Sequence, residues 1–292
     1  RPPTAARTWG FRRAEVLGMN RRNVELLMAL NPRKHYPRVD DKALTKEICH
    51  ANGIPAPETY ARIGRFGDIR RLQDLLGDRR EFVLKPACGS AGRGVLVIVD
   101  RQGDRFLTSS GESLSADDLR YHLSSTLSGL FSLGGQLDCA LVEQRLHMHP
   151  VFDAVAVEGT PDIRIVTFRC EPVMAMVRLP TRRSRGRANL HQGAVGAGVD
   201  METGFTQKGV CLGVRVGKAP DTGARIDGIR IPRWPDILDI AGRLSRALEL
   251  GYIGIDIVLD ADHGPMVLEA NARPGLAIQV ANDCGLMGRL RA

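Results

Sequence analysis

The sequence is poor in aromatic residues, 5% of 292, and poor in lysine, with only Lys34, Lys42, Lys46, Lys85, Lys208 and Lys218. It has no C-x-x-C pair, and its six cysteines (Cys49, Cys88, Cys139, Cys170, Cys211, Cys284) are scattered. That spacing excludes a zinc knuckle and reads as reduced, buried thiols of a cytoplasmic protein. No stretch reaches the roughly 18 apolar residues of a membrane span. No basic-then-apolar secretory segment opens the chain. The few aromatics are not interleaved with basic residues, so reading of nucleic acid is not expected.

What is present is an apolar fraction of 43% over 292 residues, enough for one large domain or two to three subdomains. The net charge of +8 rests almost wholly on arginine and favours acidic partners. Helices are expected over 15–31, from an Asp40 or Asp41 N-cap to about 51, over 68–76 and over 115–128. A further helix opens at Trp234-Pro235 and stops at Gly251, with Ile237, Ile240, Ala241, Leu244, Ala247 and Leu248 at helical spacing. Strands are expected over 58–63, 82–85, 95–100, 162–168 and 173–179, and from Leu141. Helices and strands alternate without a regular βαβ rhythm, so the fold class is α+β.

Gly251–Gly275 reads as two apolar strands, Tyr252–Leu259 and Met266–Ala270, around the turn Ala261-Asp262-His263-Gly264. Symmetry about that turn sets Leu259 against Met266 and Asp256 against Glu269, about 5 Å apart. Asn271, two residues on, points to the same face. Carboxylates inside an apolar hairpin need a positive partner. A hard cation such as Mg²⁺, which takes oxygen ligands and shares them with phosphates, fits all three side chains.

The stretch PACGSAGRGV carries Gly89, Gly92 and Gly94 around Ser90, Ala91 and Arg93. It is followed by the strand-like VLVIVD, so it is neither a Walker A loop nor a dinucleotide fingerprint, both of which open a helix. A glycine loop inside a hairpin can fold over phosphates as a lid. Lys85 ends the strand entering that loop. Lys42 stands at a helix start, where a cation opposes the dipole and favours an anionic neighbour. The aperiodic 182–198 reads as a long functional loop. Its Arg182–Arg187 segment, RRSRGR, suits carboxylates.

In order, the motifs are Asp-Lys at a helix start, strand–Lys–glycine loop, Val-Glu-Gln-Arg-Leu, Asp-Ile-Arg, Asn-Leu-His-Gln-Gly, and Asp…Glu-x-Asn-x-x-Pro-Gly. This set, spanning roughly residues 40–285, resembles the ATP-grasp superfamily. Within it the chain is most similar to the RimK-type glutamate ligases and their alpha-L-glutamate ligase-like relatives. The resemblance implies an ATP-grasp fold with two α+β subdomains enclosing ATP, 41–146 and 147–292, after a helical segment 1–40. It implies that Lys42 and Lys85 hold ATP phosphates, and that Gly89, Ser90, Ala91, Gly92 and Gly94 form the lid. Glu143, Gln144, Arg145 and Leu146 match the hinge that receives adenine. Asp256, Glu269 and Asn271 match the ligands of usually two Mg²⁺ ions, for which Mn²⁺ can substitute. Arg164, Asn189 and Arg273 match positions near the γ-phosphate and acyl group. Arg178, Arg187 and His191 are assigned to substrate.

The implied reaction is an ADP-forming carboxylate–amine ligation through an acylphosphate, joining glutamate or a similar amino acid to an amino acid or acidic peptide. About 40 residues precede the Asp-Lys motif, fewer than the α/β domain that ATP-grasp ligases commonly carry there. A full N-terminal pre-ATP-grasp domain is therefore not expected. The acceptor pocket is then open, completed by another subunit of a homo-oligomer, or built by 106–138. Two other readings compete: a kinase-like or regulatory ATP-binding module that forms no amide, and a polyanion-binding protein using Arg12, Arg13, Arg21 and Arg22, which requires steeply salt-sensitive binding.

Overall fold

The computed structural model describes residues 15–89 and 92–290. Two antiparallel sheets organise the chain, with helices packed against them. The smaller sheet has six strands in the order β1-β6-β2-β3-β4-β5: β1 (Thr59–Ile63), β2 (Phe82–Pro86), β3 (Leu96–Gln102), β4 (Arg105–Thr108), β5 (Ser113–Ser115) and β6 (Ala140–Glu143). The larger has seven strands in the order β11-β10-β9-β8-β7-β12-β13. These are β7 (Asp162–Phe168), β8 (Glu171–Leu179), β9 (Val195–Val199), β10 (Thr206–Cys211), β11 (Val214–Val216), β12 (Tyr252–Asp260) and β13 (Gly264–Asn271). This is the expected α+β class. No helix among the described residues is long and apolar enough to cross a membrane.

Four helices matter for the site: α1 (Lys42–Ala51), α2 (Ala116–Leu127), α3 (Trp234–Leu248) and α4 (Ala277–Ala281). The helix α2 starts where Ser115 accepts from the Asp118 amide and Asp118 reaches back to the Ser115 amide, a capping box. Its Leu119, Leu123 and Leu127 join Phe82, Ile98 and Phe106 in the smaller sheet's core. The helix α3 buries Ile237, Ala241, Leu244 and Leu248 on one face of the larger sheet, against Ile163, Ile165, Val177, Ile255 and Ile257. Cys49 of α1 lies in the same core. The helix ends at Leu248, earlier than the expected stop at Gly251, because Glu249 adopts a left-handed φ of 56°. Gly251 instead permits close approach: a Cβ there would stand 3.0 Å from Leu30 Cβ.

The other face of the larger sheet is divided. One end is apolar: Val166, Met174, Met176 and Tyr252 lie under Leu26, Leu27, Ile278, Ala281 and Leu286. The helical run 19–30 that supplies Leu26 and Leu27 is the helix expected over 15–31, with Arg22–Leu27 wound as a π-helix. Just after it, buried Asn31 donates to Tyr252 O (2.7 Å) and Ala272 O (3.1 Å) and accepts from Tyr252 N (2.9 Å). It thereby ties the open end of the β12–β13 hairpin. The other end of the same face is charged, because Asp162, Arg164, Arg178 and Asp256 alternate with the apolar residues of the α3 face.

The hairpin register differs from symmetry near its turn. Leu259 pairs with Pro265 and Val258 with Met266, one residue off the expected Leu259–Met266 pairing. Asp256 nevertheless pairs with Glu269, because a β-bulge between Ile257 and Asp256 leaves Leu268 without a partner and restores the register.

Candidate functional site

The helix α1 begins at Asp41, whose side chain accepts from the Ala43 amide at 2.8 Å. This fixes Lys42 between the two sheets. Its amide donates to Ala87 O (3.1 Å) and its Nζ to Gly89 O (2.5 Å), both at the exit of β2. The same Nζ lies 3.9 Å from Glu269 Oε2 on the hairpin. One turn further, buried Lys46 places its Nζ 2.6 Å from Glu143 Oε2. Lys85, from β2, approaches the same oxygen at 2.7 Å. The second oxygen, Glu143 Oε1, is buried with no hydrogen-bond partner.

Burial and the neighbouring Lys85 push the Lys46 ammonium down to about 7, against the pull of Glu143. Burial alone would raise Glu143, but Lys85 and Lys46 hold it below the usual carboxylate range. Between about 7 and 10.5 the unfolded chain carries a proton on Lys46 that the folded chain lacks, so stability rises with pH across that window. We expect the urea midpoint of the wild type to climb relative to Lys46→Met between roughly pH 7 and 9.5. A constant offset between the two would refute this assignment.

The glycine loop leads from β2 to β3. Gly94 has φ 73°, and a Cβ there would fall 2.5 Å from the Phe131 ring. Its carbonyl is bonded to His122 Nε2 at 2.9 Å, which anchors the loop to α2. A Cβ at Gly92 would lie 3.8 Å from Arg187 Cδ, so this exposed arginine sits against the glycine loop. The loop expected over 182–198 is shorter than that, because residues from Val195 on pair with β8 and β10 as β9. Gly89 bridges to Ser132. Ser90 and Ala91, like Arg12 and Arg13, lie outside the described residues.

Glu143 ends β6, and the following residues cross to the hairpin tip. The Gln144 amide donates to Glu58 O (2.9 Å), and Arg145 donates to Glu81 Oε2 (2.8 Å). Leu146 is half-buried. The His147 amide donates to Asp260 Oδ2 at 2.6 Å. Asp260 Oδ1 accepts from the His263 amide (2.9 Å) and lies 2.7 Å from His263 Nδ1, so this carboxylate locks the turn.

Across the larger sheet, Glu269, Asp256 and Arg164 form one row, since Asp256 pairs with Glu269 on one side and Arg164 on the other. Arg164 donates to both oxygens of Asp256, through Nε to Oδ1 and through NH2 to Oδ2 at 2.7 Å. Arg178 NH2 also reaches Asp256 Oδ2 (2.7 Å), and it grips Asp162 through Nε (2.5 Å) and NH2 (2.6 Å). Burial would raise the Asp256 carboxyl, but Arg164 and Arg178 hold it well below the usual range. Burial pushes Asp162 up to about 6 despite Arg178. Asn271 Nδ2 stands 3.5 Å from Asp256 Oδ2 and 3.4 Å from Glu269 Oε1.

Asp256, Glu269 and Asn271 therefore converge. Asp256 Oδ1 has one of its two lone pairs taken by Arg164, and Glu269 is a third exposed (33%) on the same side as Lys42. Rotation of the Asn271 amide turns its oxygen inward. The donor set is all hard oxygen and fits Mg²⁺.

The remaining expected residues are more dispersed. Asn189 caps the turn Leu190–Gln192 by accepting from the His191 amide at 3.0 Å, and His191 itself is exposed. A Cβ at Gly196, the partner of Arg178, would meet Leu190, so this turn covers the same sheet face as the charged row. Arg273 is exposed, with its guanidinium 4.9 Å from the centre of the Tyr36 ring. Two residues of the cluster were not among those expected from sequence. Lys46 was legible as one of six lysines, four residues after Lys42 and so on the same helix face. Asp162 was legible from Asp-Ile-Arg, where alternation puts it on the Arg164 face.

Two sheets meeting at a helix-borne lysine, with a glycine loop on one side and clustered hard-oxygen side chains on the other, have the layout expected of an ATP-grasp protein. Residues 21–292 match the model of the sugar-transfer associated ATP-grasp family, and the chain belongs to that family. A protein of Maridesulfovibrio salexigens described as a probable alpha-L-glutamate ligase is 24% identical over 255 residues. The match covers 87% of this chain but 62% of that relative, so the chain spans less than two thirds of its length. Among solved structures, D-cycloserine synthetase DcsG has 17% identity and a TM-score of 0.49, covering 89% of this chain and 70% of that one. A RimK domain ATP-grasp protein from Sphaerobacter thermophilus has 16% identity and a TM-score of 0.46, with 89% and 70% covered.

Proposed function

We propose that the protein is an ATP- and Mg²⁺-dependent, ADP-forming carboxylate–amine ligase. Its substrates are glutamate or a similar amino acid and an acceptor that is an amino acid or acidic peptide. The observation that carries this reading is Lys42, whose ammonium lies between Gly89 O at the lid and Glu269 on the metal-type hairpin. A phosphate chain laid there meets a cation, backbone amides of a glycine loop and oxygen ligands for a divalent ion together.

Asp256, Glu269 and Asn271 would hold the Mg²⁺, which when bound neutralises phosphate charge as a Lewis acid. Lys42 and Lys85 bind phosphate oxygens and spread the charge that develops in transfer. Arg164 and Arg178 keep Asp256 ionised and fixed, so the row is preorganised. The lid, with Arg187 beside it, excludes water from an intermediate that hydrolysis would waste. A substrate carboxylate oxygen attacks the γ-phosphorus, giving an acylphosphate and ADP. An amine then attacks the acyl carbon, phosphate leaves, and the nitrogen gives up a proton as the amide forms.

The test is incubation with ATP, Mg²⁺ and mixtures of amino acids and acidic peptides, read by phosphate release and product mass. Because the family is described as sugar-transfer associated, amino sugars belong among the acceptors screened. The expected outcome is ADP, phosphate and a product lighter than its two substrates by one water. Phosphorylated product without an amide would favour the kinase-like module instead. ATP left intact in every mixture sinks the ligase reading.

A further inference from the structure

The ligase reading uses Lys42 and Lys85 but leaves Lys46 and the Glu143 carboxylate without a task. Their geometry is unusual. Two buried ammonium groups, 4% and 6% exposed, share a single carboxylate oxygen, while the other oxygen of that carboxylate is unpartnered. With both lysines protonated the cluster holds one more cation than anion in a place with little water to solvate it. The burden falls on Lys46, whose ammonium is pushed down to about 7 by burial and by Lys85.

The two lysines are not equivalent. Lys46 Nζ also donates to Pro57 O at 3.3 Å, which pins it at the base of α1. For Lys85, Glu143 is the only hydrogen-bond partner among the described residues. Lys85 is also the lysine at the mouth of the glycine loop. If Lys85 turned to a phosphate with no other cation at Glu143, a buried carboxylate would be left bare, which is costly.

We propose that Lys46 is a positioning residue for nucleotide binding: it takes over Glu143 as sole partner and so releases Lys85 to the phosphates. The inference rests on the ATP-binding reading of the site. It turns the excess of cations from a defect of the free protein into readiness for an anion. In the free state Lys46 is surplus, and in the nucleotide-bound state it completes a neutral buried pair.

The test is a titration of wild type, Lys46→Met and Lys46→Met/Glu143→Gln with ATP and Mg²⁺ by calorimetry, beside thermal unfolding of each ATP-free protein. In Lys46→Met, Lys85 and Glu143 remain as a matched pair that the nucleotide must break. We expect its Kd for ATP to rise about tenfold to a hundredfold, with the ATP-free melting temperature unchanged or higher. In turnover, KM for ATP should rise while kcat stays within about threefold of wild type. The double variant removes the carboxylate that holds Lys85, so it should bind ATP at least about tenfold more tightly than Lys46→Met. A merely structural Lys46 predicts the opposite pattern: a less stable or unfolded ATP-free Lys46→Met protein and no recovery in the double variant. Either result, or unchanged affinity in Lys46→Met, overturns the proposal. Absence of ATP binding by the wild type overturns the ligase reading with it, and that arm is read before any variant.

Discussion

Asp256→Ala should lower the unfolding free energy by about 3–5 kcal/mol, the usual effect of removing one partner from a buried ion pair. Asp256 is fully buried and receives Arg164 through two bonds and Arg178 through a third. The native network matches Arg164 and Arg178 with two buried carboxylates, Asp256 and Asp162. Without Asp256, Arg164 loses both acceptors recorded for its guanidinium, and a buried charge is left uncompensated. Urea unfolding of the metal-free, ATP-free protein measures this directly. A change below about 1 kcal/mol would show that the arginines find other acceptors and that the network is not what fixes this face.

Glu269→Gln should separate chemistry from stability. Glu269 is a third exposed and its nearest cation, Lys42, is 3.9 Å away, so its charge contributes little to folding. The proposed function makes Glu269 a ligand for Mg²⁺ and a neighbour of the lysine proposed to bind phosphate, so on that reading it is needed for turnover. Loss of one charged ligand is expected to reduce kcat/KM for ATP about 10³-fold, equivalent to several kcal/mol of charge stabilisation. The urea midpoint should stay close to wild type. Full activity in Glu269→Gln would remove this residue from the metal site. A large fall in stability would make it structural. Together the two variants distinguish a carboxylate that both folds and binds from one that only binds.

The pairing of Asp256 with Glu269 was legible in the sequence, although the turn symmetry behind it was off by one at Leu259. A bulge at Leu268 absorbed the error, and no local signal marks it, because Leu268 is apolar like its neighbours. The start of α1 was legible because Asp41 is a strong N-cap, and Pro235 marked the first turn of α3. The end of α3 was not, since Glu249 takes a left-handed conformation that sequence assigns more readily to Gly251. Arg178 was assigned to the cleft, but its grip on Asp162 and Asp256 depends on strand order, which one sequence does not reveal. The Lys46–Glu143–Lys85 cluster needs three segments to meet, and only the i, i+4 spacing of the two helix lysines hinted at it. Arg273 is assigned near the γ-phosphate and acyl group by the resemblance alone, and the stacking of its guanidinium on Tyr36 has no signal in the sequence.

The β12–β13 hairpin is tied at both ends. Asn31 clamps its open end through three hydrogen bonds, and Asp260 fastens its tip to the segment leaving the smaller sheet through His147. Between those anchors sits the bulge at Leu268, directly beside the row of Asp256 and Glu269. The hairpin is thus fixed by more than its ends, because β12 is also paired with β7 from Tyr252 to Ile257. Of the two carboxylates given to Mg²⁺ on the ligase reading, Glu269 stands at the one point where the β12–β13 ladder is interrupted, and Asp256 on the stretch of β12 that β7 holds.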